Sequence, residues 1–210
     1  RTRPIPIITD DALTITGGAF SYGNTPALTD VTISVKPGEA MALIGPNGSG
    51  KSTLLQLIAQ FTLPNSGTVK MSGIDSDMVY SQITYAAPYV ELIEEYTLQE
   101  HVEILVKNNY LSKSITLELL EDFIDLKPDR FKLIKNYSSG MRQKIKLGFA
   151  LLSDRPVLLL DEPTTNFDEQ AKQWFFDKLE KQRHKLIVVA SNEAREIEFC
   201  TNKIAILDFK

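Results

Sequence analysis

The chain has 210 residues, of which 43% are hydrophobic and 24% are charged, and its formal net charge is −4. These values fit one compact domain without an overall basic field, so binding to nucleic acid is not expected. The single cysteine, Cys200, excludes a disulfide within the chain and favours a cytosolic location. No apolar run approaches the roughly 20 residues that a membrane-spanning helix needs.

The sequence pattern divides the chain into a tail and one domain. Residues 1–11 are taken as an N-terminal tail and residues 12–210 as a single domain. The first part of that domain, 12–88, contains short alternating or apolar runs that predict β-strands around one helix. Strands are predicted at 13–15, 31–35 and 40–44, and a helix at 51–60.

The middle of the domain, 89–136, has a helical pattern instead. Thr97 and Glu100 form a capping box that predicts the start of one helix, and a second amphipathic helix is predicted over Ser114–Asp125. The last part, 137–210, alternates strands and helices, which predicts a parallel sheet covered by helices. The elements predicted there are strands at 157–160 and 186–190 and a helix at 168–183.

A phosphate-binding loop is predicted between the strand at 40–44 and the helix that follows it. Residues Gly45–Thr53 read GPNGSGKST and fit the pattern G-x-x-x-x-G-K-[ST]; the alternative is a glycine-rich turn that contains Lys by chance. Glycines let the backbone curl so that its N–H groups converge on a triphosphate. Lys51 is expected to reach the β- and γ-phosphates of ATP, and the Ser52 hydroxyl to ligate Mg²⁺. The predicted nucleotide-binding residues are Gly45, Pro46, Asn47, Gly48, Ser49, Gly50, Lys51, Ser52 and Thr53.

Two carboxylates follow the predicted buried strand at 157–160. Residues Val157–Pro163 read VLLLDEP, and ligands of open α/β sheets lie at the carboxyl ends of the strands. Asp161 is expected to bind Mg²⁺ through water, and Glu162 to polarise the attacking water as a general base. Alone, this segment would be an ordinary acidic turn, but beside a phosphate loop the catalytic interpretation is favoured.

With these motifs the sequence resembles the ABC ATPase family over nearly the whole chain. The family's signature, commonly LSGGQ, is matched by YSSGM at Tyr137–Met141, which keeps Ser138 and Gly140. The resemblance implies that these two residues bind the γ-phosphate held by a second ATP-binding subunit, so a homodimer with two shared sites is expected. The alternative is that Ser138 only caps a helix.

The resemblance also implies the fold class and further contacts. The expected fold is α/β, a P-loop NTPase core with an antiparallel β sub-domain and an inserted helical sub-domain. Tyr22 stands where the family places an aromatic residue that stacks on adenine, which is worth roughly 1–3 kcal/mol; the alternative is an edge-strand core residue. Residues 165–168 resemble the family's D-loop, which contacts the partner subunit.

Two positions depart from the family pattern. Pro88 occupies the place of a glutamine that touches Mg²⁺, and Ser191–Asn192 occupies the place of a histidine that bridges the γ-phosphate and the catalytic carboxylate. Ser191 is taken as the catalytic substitute, with Asn192 as the alternative. Losing one such contact costs roughly 3–4 kcal/mol, so slow hydrolysis is expected in the isolated subunit. The histidines His101 and His184 are interpreted as surface or helix-packing residues.

The resemblance implies the motor subunit of a membrane transporter, with export favoured by the short chain. Such a subunit lies in the cytoplasm on the inner face of the membrane, bound to a transmembrane permease subunit. The acidic segment 88–96 is either a solvated loop or the surface on which a basic segment of the permease docks. The alternative functions are a soluble ABC-type ATPase in regulation, translation or DNA repair, and a small-molecule kinase.

Overall fold

Two β-sheets form the framework of the chain in a computed structural model that describes residues 13–22, 25–127 and 131–210. The predicted tail at 1–11 lies outside these residues. The first sheet is antiparallel, with strand order β2–β1–β4. Its strands are β1 Leu13–Tyr22, β2 Thr25–Val35 and β4 Ser66–Met71. Its two long strands extend well beyond the predicted segments, and Leu13 and Ile15 lie opposite Val35 and Ile33 in the core.

The second sheet has the strand order β5–β6–β7–β3–β8, and β3 pairs in parallel with β7 and β8. Its strands are β3 Ala40–Ile44, β5 Ile83–Ala86, β6 Val157–Asp161, β7 Leu186–Ala190 and β8 Asn202–Ala205. Every residue of β6 and β7 is buried, as expected for continuous apolar runs in a parallel sheet. The predicted antiparallel and parallel sheets are therefore confirmed.

Six α-helices lie within the described residues. They are α1 Lys51–Ile58, α2 Leu98–Lys107, α3 Leu117–Ile124, α4 Ser139–Leu152, α5 Glu169–Glu180 and α6 Ala194–Phe199. Helix α1 contacts β6 and β7, and α6 contacts β3. Helix α3 packs closely on α4, because Gly148 lacks the Cβ that would clash with the buried Ile124. No described helix is long and apolar enough to span a membrane.

The helix ends follow from local capping, which corrects several predicted bounds. The capping box of Thr97 and Glu100 is confirmed at the start of α2. The helix predicted from Ser114 starts later, because the Thr116 side chain accepts a hydrogen bond from Leu119 N and caps α3. Helix α1 ends at Ile58 instead of near 60, and α5 ends at Glu180 instead of 183.

The chain separates into two compact units. One unit consists of Arg1–Tyr85, Pro156–Glu162 and Arg183–Lys210 and holds both sheets with α1 and α6. The other consists of Ala86–Arg155 and Pro163–Gln182 and holds α2 to α5. In the helical unit α4 packs on α3 and α5, and the Trp174 Nε1 of α5 donates to Phe123 O of α3 at 2.9 Å.

Candidate nucleotide-binding site

The predicted phosphate loop leads from β3 into α1, as its motif requires. Gly48 and Gly50 have φ of +77° and +103°, a backbone region that residues with a Cβ rarely adopt. Gly50 is the N-cap of α1 and supplies no side-chain hydrogen bond to the first turn. The first turn therefore presents backbone N–H groups and the positive end of the helix dipole, which together suit an anion.

The ammonium group of Lys51 lies inside the curl of the phosphate loop. The residue is only 5% exposed, and its Nζ donates to Gly45 O at 2.7 Å and to Pro46 O at 3.3 Å. A buried ammonium needs acceptors for its three donors, and the loop carbonyls supply two of them. Lys51 is thus held with its charge at the place where phosphate oxygens would enter.

The third acceptor for Lys51 comes from the turn after β7. The backbone of Ser191 donates to Leu43 O at 3.2 Å, which fixes this turn beside the phosphate loop. Oriented to suit its neighbours, the Asn192 amide donates to Gly45 O at 2.6 Å and accepts from Lys51 Nζ at 3.2 Å. In this orientation the Asn192 oxygen lies 3.0 Å from the Asn47 side-chain amide, which must turn its NH₂ group towards Asn192 to donate to it.

Ser191, the predicted catalytic substitute for histidine, is 1% exposed. Its hydroxyl accepts from Glu193 N at 2.8 Å and so stabilises its own turn. The side chain beside the phosphate loop is instead that of its neighbour Asn192. Of the two residues considered, Asn192 is thus the one beside the phosphate loop, and the catalytic role predicted for Ser191 or Asn192 stays a prediction.

The two carboxylates end β6 in the same unit. Asp161 is 2% exposed, and the Tyr85 hydroxyl donates to its Oδ2 at 3.4 Å. Glu162 has a left-handed backbone with φ of +44°, and its N–H donates to Ala190 O at 2.9 Å. Strained backbone of this kind costs of order 1–3 kcal/mol and is common at functional sites.

An open cavity of about 460 Å³ lies against the phosphate loop, within the size range of small-ligand pockets. Glu162 and Lys51 both line this cavity, so a carboxylate that can accept a proton and a fixed ammonium group face the same space. It is also lined by Pro26, Ala27, Asn47, Gly48, Gly50, Ser52, Thr53 and Lys210. Of these, Pro26, Ala27 and Lys210 carry no motif, so sequence reasoning had no signal for them.

The donor set suits Mg²⁺ bound together with a nucleotide. No cluster of three or more histidine, cysteine or acidic side chains that could hold a metal ion lies in the part of the chain that the structure describes. Mg²⁺ is characteristically held by one or two protein oxygens, phosphate oxygens and water. Ser52 and Asp161 are the residues that would hold it.

The signature segment begins α4 in the helical unit. Ser138 is the N-cap of α4, and its Oγ accepts from Met141 N at 3.2 Å; its contact with a phosphate stays a prediction. Ser138 is nevertheless exposed, and a Cβ added at Gly140 would meet no atom within 4 Å. The segment therefore presents an open surface. The side chain of Tyr22, the predicted adenine contact, lies outside what the structure describes.

The loop at 88–96 is tied to two helices of its own unit. Lys146 Nζ donates to Pro88 O at 3.0 Å, and Arg142 pairs with Glu94 at 3.4 Å, which joins the loop to α4. His101 Nε2 accepts from Ile93 N at 3.0 Å, which joins it to α2. The loop also exposes three large apolar side chains, namely Tyr89, Val90 and Ile93. The loop is thus a surface of mixed apolar and acidic character that is held by these contacts.

Comparison with known proteins agrees with this architecture. A probable ABC transporter ATP-binding/permease protein of Haemophilus influenzae is 31% identical over 201 residues, covering 89% of this chain and 36% of that protein. Nod factor export ATP-binding protein I of Rhizobium meliloti is 28% identical over 219 residues, covering 99% of this chain and 64% of that protein. The structure of an ATP-binding subunit of an ABC transporter has a TM-score of 0.80 at 25% identity, over 92% of this chain and 85% of that one.

The phosphate loop, the strand-ending carboxylates and the two sheets define a P-loop nucleotide-binding domain of the ABC ATPase fold. The sequence model of the ABC transporter family matches residues 28–165, about two thirds of the chain, and the chain belongs to that family. The chain spans 36% and 64% of the lengths of the two relatives described above.

The pH dependence of stability tests how the loop at 88–96 is held. His101 is 4% exposed, and burial lowers its pKa below the ordinary value; its Nδ1 contacts Thr97 O at 2.9 Å. The neutral ring accepts from Ile93 N, and protonation would remove that acceptor. Because the folded protein binds the proton more weakly than the unfolded chain, stability is greatest above the unfolded pKa of about 6.5 and falls as pH falls.

We therefore expect a lower denaturation midpoint in urea at pH 5.5 than at pH 7.5, with a smaller difference in His101→Gln. The same substitution at the exposed His184 is the control: His184→Gln should retain the full pH dependence of the unaltered chain. Equal pH dependence in His101→Gln and in the unaltered chain would contradict this assignment.

Proposed function

We propose that this chain is the ATP-binding and ATP-hydrolysing subunit that powers an ABC membrane transporter, with export as the direction. The observation that supports this most strongly is that Lys51, the uncapped start of α1 and Glu162 border one cavity. Family membership and the Nod factor export relative favour transport over a soluble factor in regulation, translation or repair. The proposed location is the cytoplasmic face of a membrane, through a permease subunit.

The proposed mechanism assigns each step to a residue. The backbone N–H groups of the phosphate loop and the Lys51 ammonium bind the triphosphate. Ser52 and Asp161 would hold Mg²⁺, which would neutralise charge on the phosphates when bound. Glu162 accepts a proton from the water that attacks the γ-phosphate, and Tyr22 stacks on adenine. The remaining step requires a second subunit.

The second subunit is proposed to complete the site. Ser138 and Gly140 lie on an open surface at the start of α4, where backbone N–H groups suit an anion. In a dimer of two copies, this surface would cover the γ-phosphate held by the partner, and Thr165 and Asn166 are likewise exposed for contact between copies. ATP would thus join the two subunits, and hydrolysis would release them.

The loop at 88–96 is proposed as the docking surface for the permease. Its exposed apolar side chains suit a packed interface, whereas Glu94 is already paired with Arg142. We therefore propose that the permease binds this loop through apolar contacts in addition to the attraction between acidic residues and a basic permease segment that the sequence predicts. Because the loop is tied to α4, pressure from the permease would reach the signature segment at the start of that helix.

Substituting the proposed general base separates binding from hydrolysis. Glu162→Gln is isosteric and keeps the cavity shape, but it cannot accept the proton, so we expect ATP hydrolysis to fall roughly 100- to 10,000-fold. ATP binding, measured by calorimetry, should be retained. Glu169→Gln, an exposed acidic residue in the first turn of α5, is the control and should hydrolyse ATP normally. Hydrolysis by Glu162→Gln above half the unaltered rate would overturn the assignment.

Site-directed crosslinking tests the permease contact. Cys200 is buried and its pKa is raised to about 12, mainly by burial, so a maleimide crosslinker should react with an introduced cysteine instead. Glu94→Cys in native membranes is expected to crosslink to a protein with several membrane spans. Asp122→Cys, at an exposed position on α3, should not. The docking surface would be excluded if both variants gave identical crosslinked products, or if Glu94→Cys gave no crosslink to a membrane protein.

A further inference from the structure

Lys210 lies beside the phosphate loop, although no motif of the sequence marks it. Its ammonium Nζ donates to Ala27 O at 2.9 Å, and both residues line the cavity that Lys51 and Glu162 also border. The cavity is therefore lined by two lysines. Lys51 belongs to the phosphate loop, whereas the proposed mechanism assigns no role to Lys210.

The segment that carries Lys210 is held against β2 by other residues of its own. Ile206 begins a short 3₁₀ helix, Ile206–Phe209, which contacts β2, and its side chain is fully buried. The carbonyl of Phe209 accepts from Thr29 Oγ1 of β2 at 3.2 Å. The backbone of Lys210 is thus placed next to β2 without help from its ammonium group.

This segment and β2 both approach the start of α1. A Cβ added at Gly50, the N-cap of α1, would lie 3.6 Å from Ala27 O and 3.7 Å from Ile206 Cγ2. The carbonyl that accepts from Lys210 therefore lies close to the turn whose backbone N–H groups suit a phosphate. The ammonium lies one hydrogen bond beyond that carbonyl, in the wall of the same cavity.

Lys210 differs from Lys51 in its capacity for a new contact. Lys51 is buried, and the loop carbonyls already accept from it. Lys210 is exposed, and among the described residues Ala27 O is the one acceptor of its ammonium. Because an ammonium has three donors, two of them remain for an anion while the bond to Ala27 is kept.

The strand register indicates which part of a nucleotide would pass Lys210. Tyr22, the proposed adenine contact, pairs through its backbone with Thr25, two residues before Ala27. Ala27 also approaches Gly50 of the phosphate loop, which would hold the β- and γ-phosphates. In ATP the α-phosphate joins the ribose to these two phosphates, so it is the phosphate that lies between the adenine end and the loop.

We propose that Lys210 is a second cationic ligand of the nucleotide and that it binds the α-phosphate. This inference rests on the proposed ATP-binding function and adds a binding residue to it, not a step of the reaction. Ala27 O orients the ammonium in the free protein, and its two other donors bind phosphate oxygens. Since ATP and ADP share the α-phosphate, Lys210 stabilises both nucleotides to a similar extent.

Calorimetric titration of Lys210→Met tests this contact. Methionine is similar in length but has no charge and no donor, so we expect affinities for Mg-ATP and Mg-ADP each to fall roughly three- to tenfold in about 0.1 M salt. In about 1 M salt, where screening acts within about 3 Å, the difference from the unaltered chain should shrink to less than about twofold. Lys210→Arg keeps the positive charge and should bind within about twofold of the unaltered chain in both salts.

Lys70→Met is the matched control. Lys70 is an exposed lysine of β4, paired with Thr14 at the end of β1 that lies away from Tyr22, so this variant should bind both nucleotides normally.

Several results would overturn the inference. One is an affinity of Lys210→Met for Mg-ATP equal to that of the unaltered chain. A loss that is unchanged in high salt, or that Lys210→Arg shares, would show that Lys210 acts only through its bond to Ala27. A loss confined to Mg-ATP would exclude the α-phosphate. If the unaltered chain itself bound no Mg-ATP, the proposed function would be refuted and this inference with it, whereas the other results require an unaltered chain that binds.

Discussion

A buried positive charge inside a loop of bare backbone is the constraint on which the site depends. Lys51 is almost inaccessible to solvent, and its ammonium is held by carbonyls of the loop that it follows. Such a charge is costly to bury unless acceptors surround it. The loop carbonyls and the Asn192 amide in the turn after β7 supply those acceptors, and the charge faces a space of ligand size.

The parallel sheet explains why these groups meet. β3, β6 and β7 are adjacent in the sheet and run in the same direction, so the segments that follow them emerge at one edge. Those segments are the phosphate loop, the pair Asp161–Glu162 and the turn with Asn192. Residues that are far apart in sequence thus reach one site, because strand register fixes Leu43 beside Ala190 and Asp161 beside Ala190.

Motifs with a fixed local geometry could be predicted from the sequence. Which of two adjacent side chains faces a site could not. The motif at Gly45–Thr53 predicts a loop followed by a helix, because its glycines permit the curled backbone and α1 begins at Lys51. The capping box of Thr97 and Glu100 likewise predicts the start of α2. The sequence left Ser191 and Asn192 as alternatives for the contact after β7, because which of two adjacent residues faces the loop depends on strand register. The bond from Tyr85 to Asp161 was missed for the same reason, since nothing local marks it.

The central claim, that the loop around Lys51 binds a triphosphate, is tested most directly by calorimetric titration of Mg-ATP into Lys51→Ala. The lost charged hydrogen bonds are each worth about 1.5–3 kcal/mol, so the account predicts that affinity falls roughly 10- to 100-fold or more. Lys36→Ala, an exposed lysine in the turn before β3, should bind as the unaltered chain does. Equal affinity of Lys51→Ala and the unaltered chain would contradict the account.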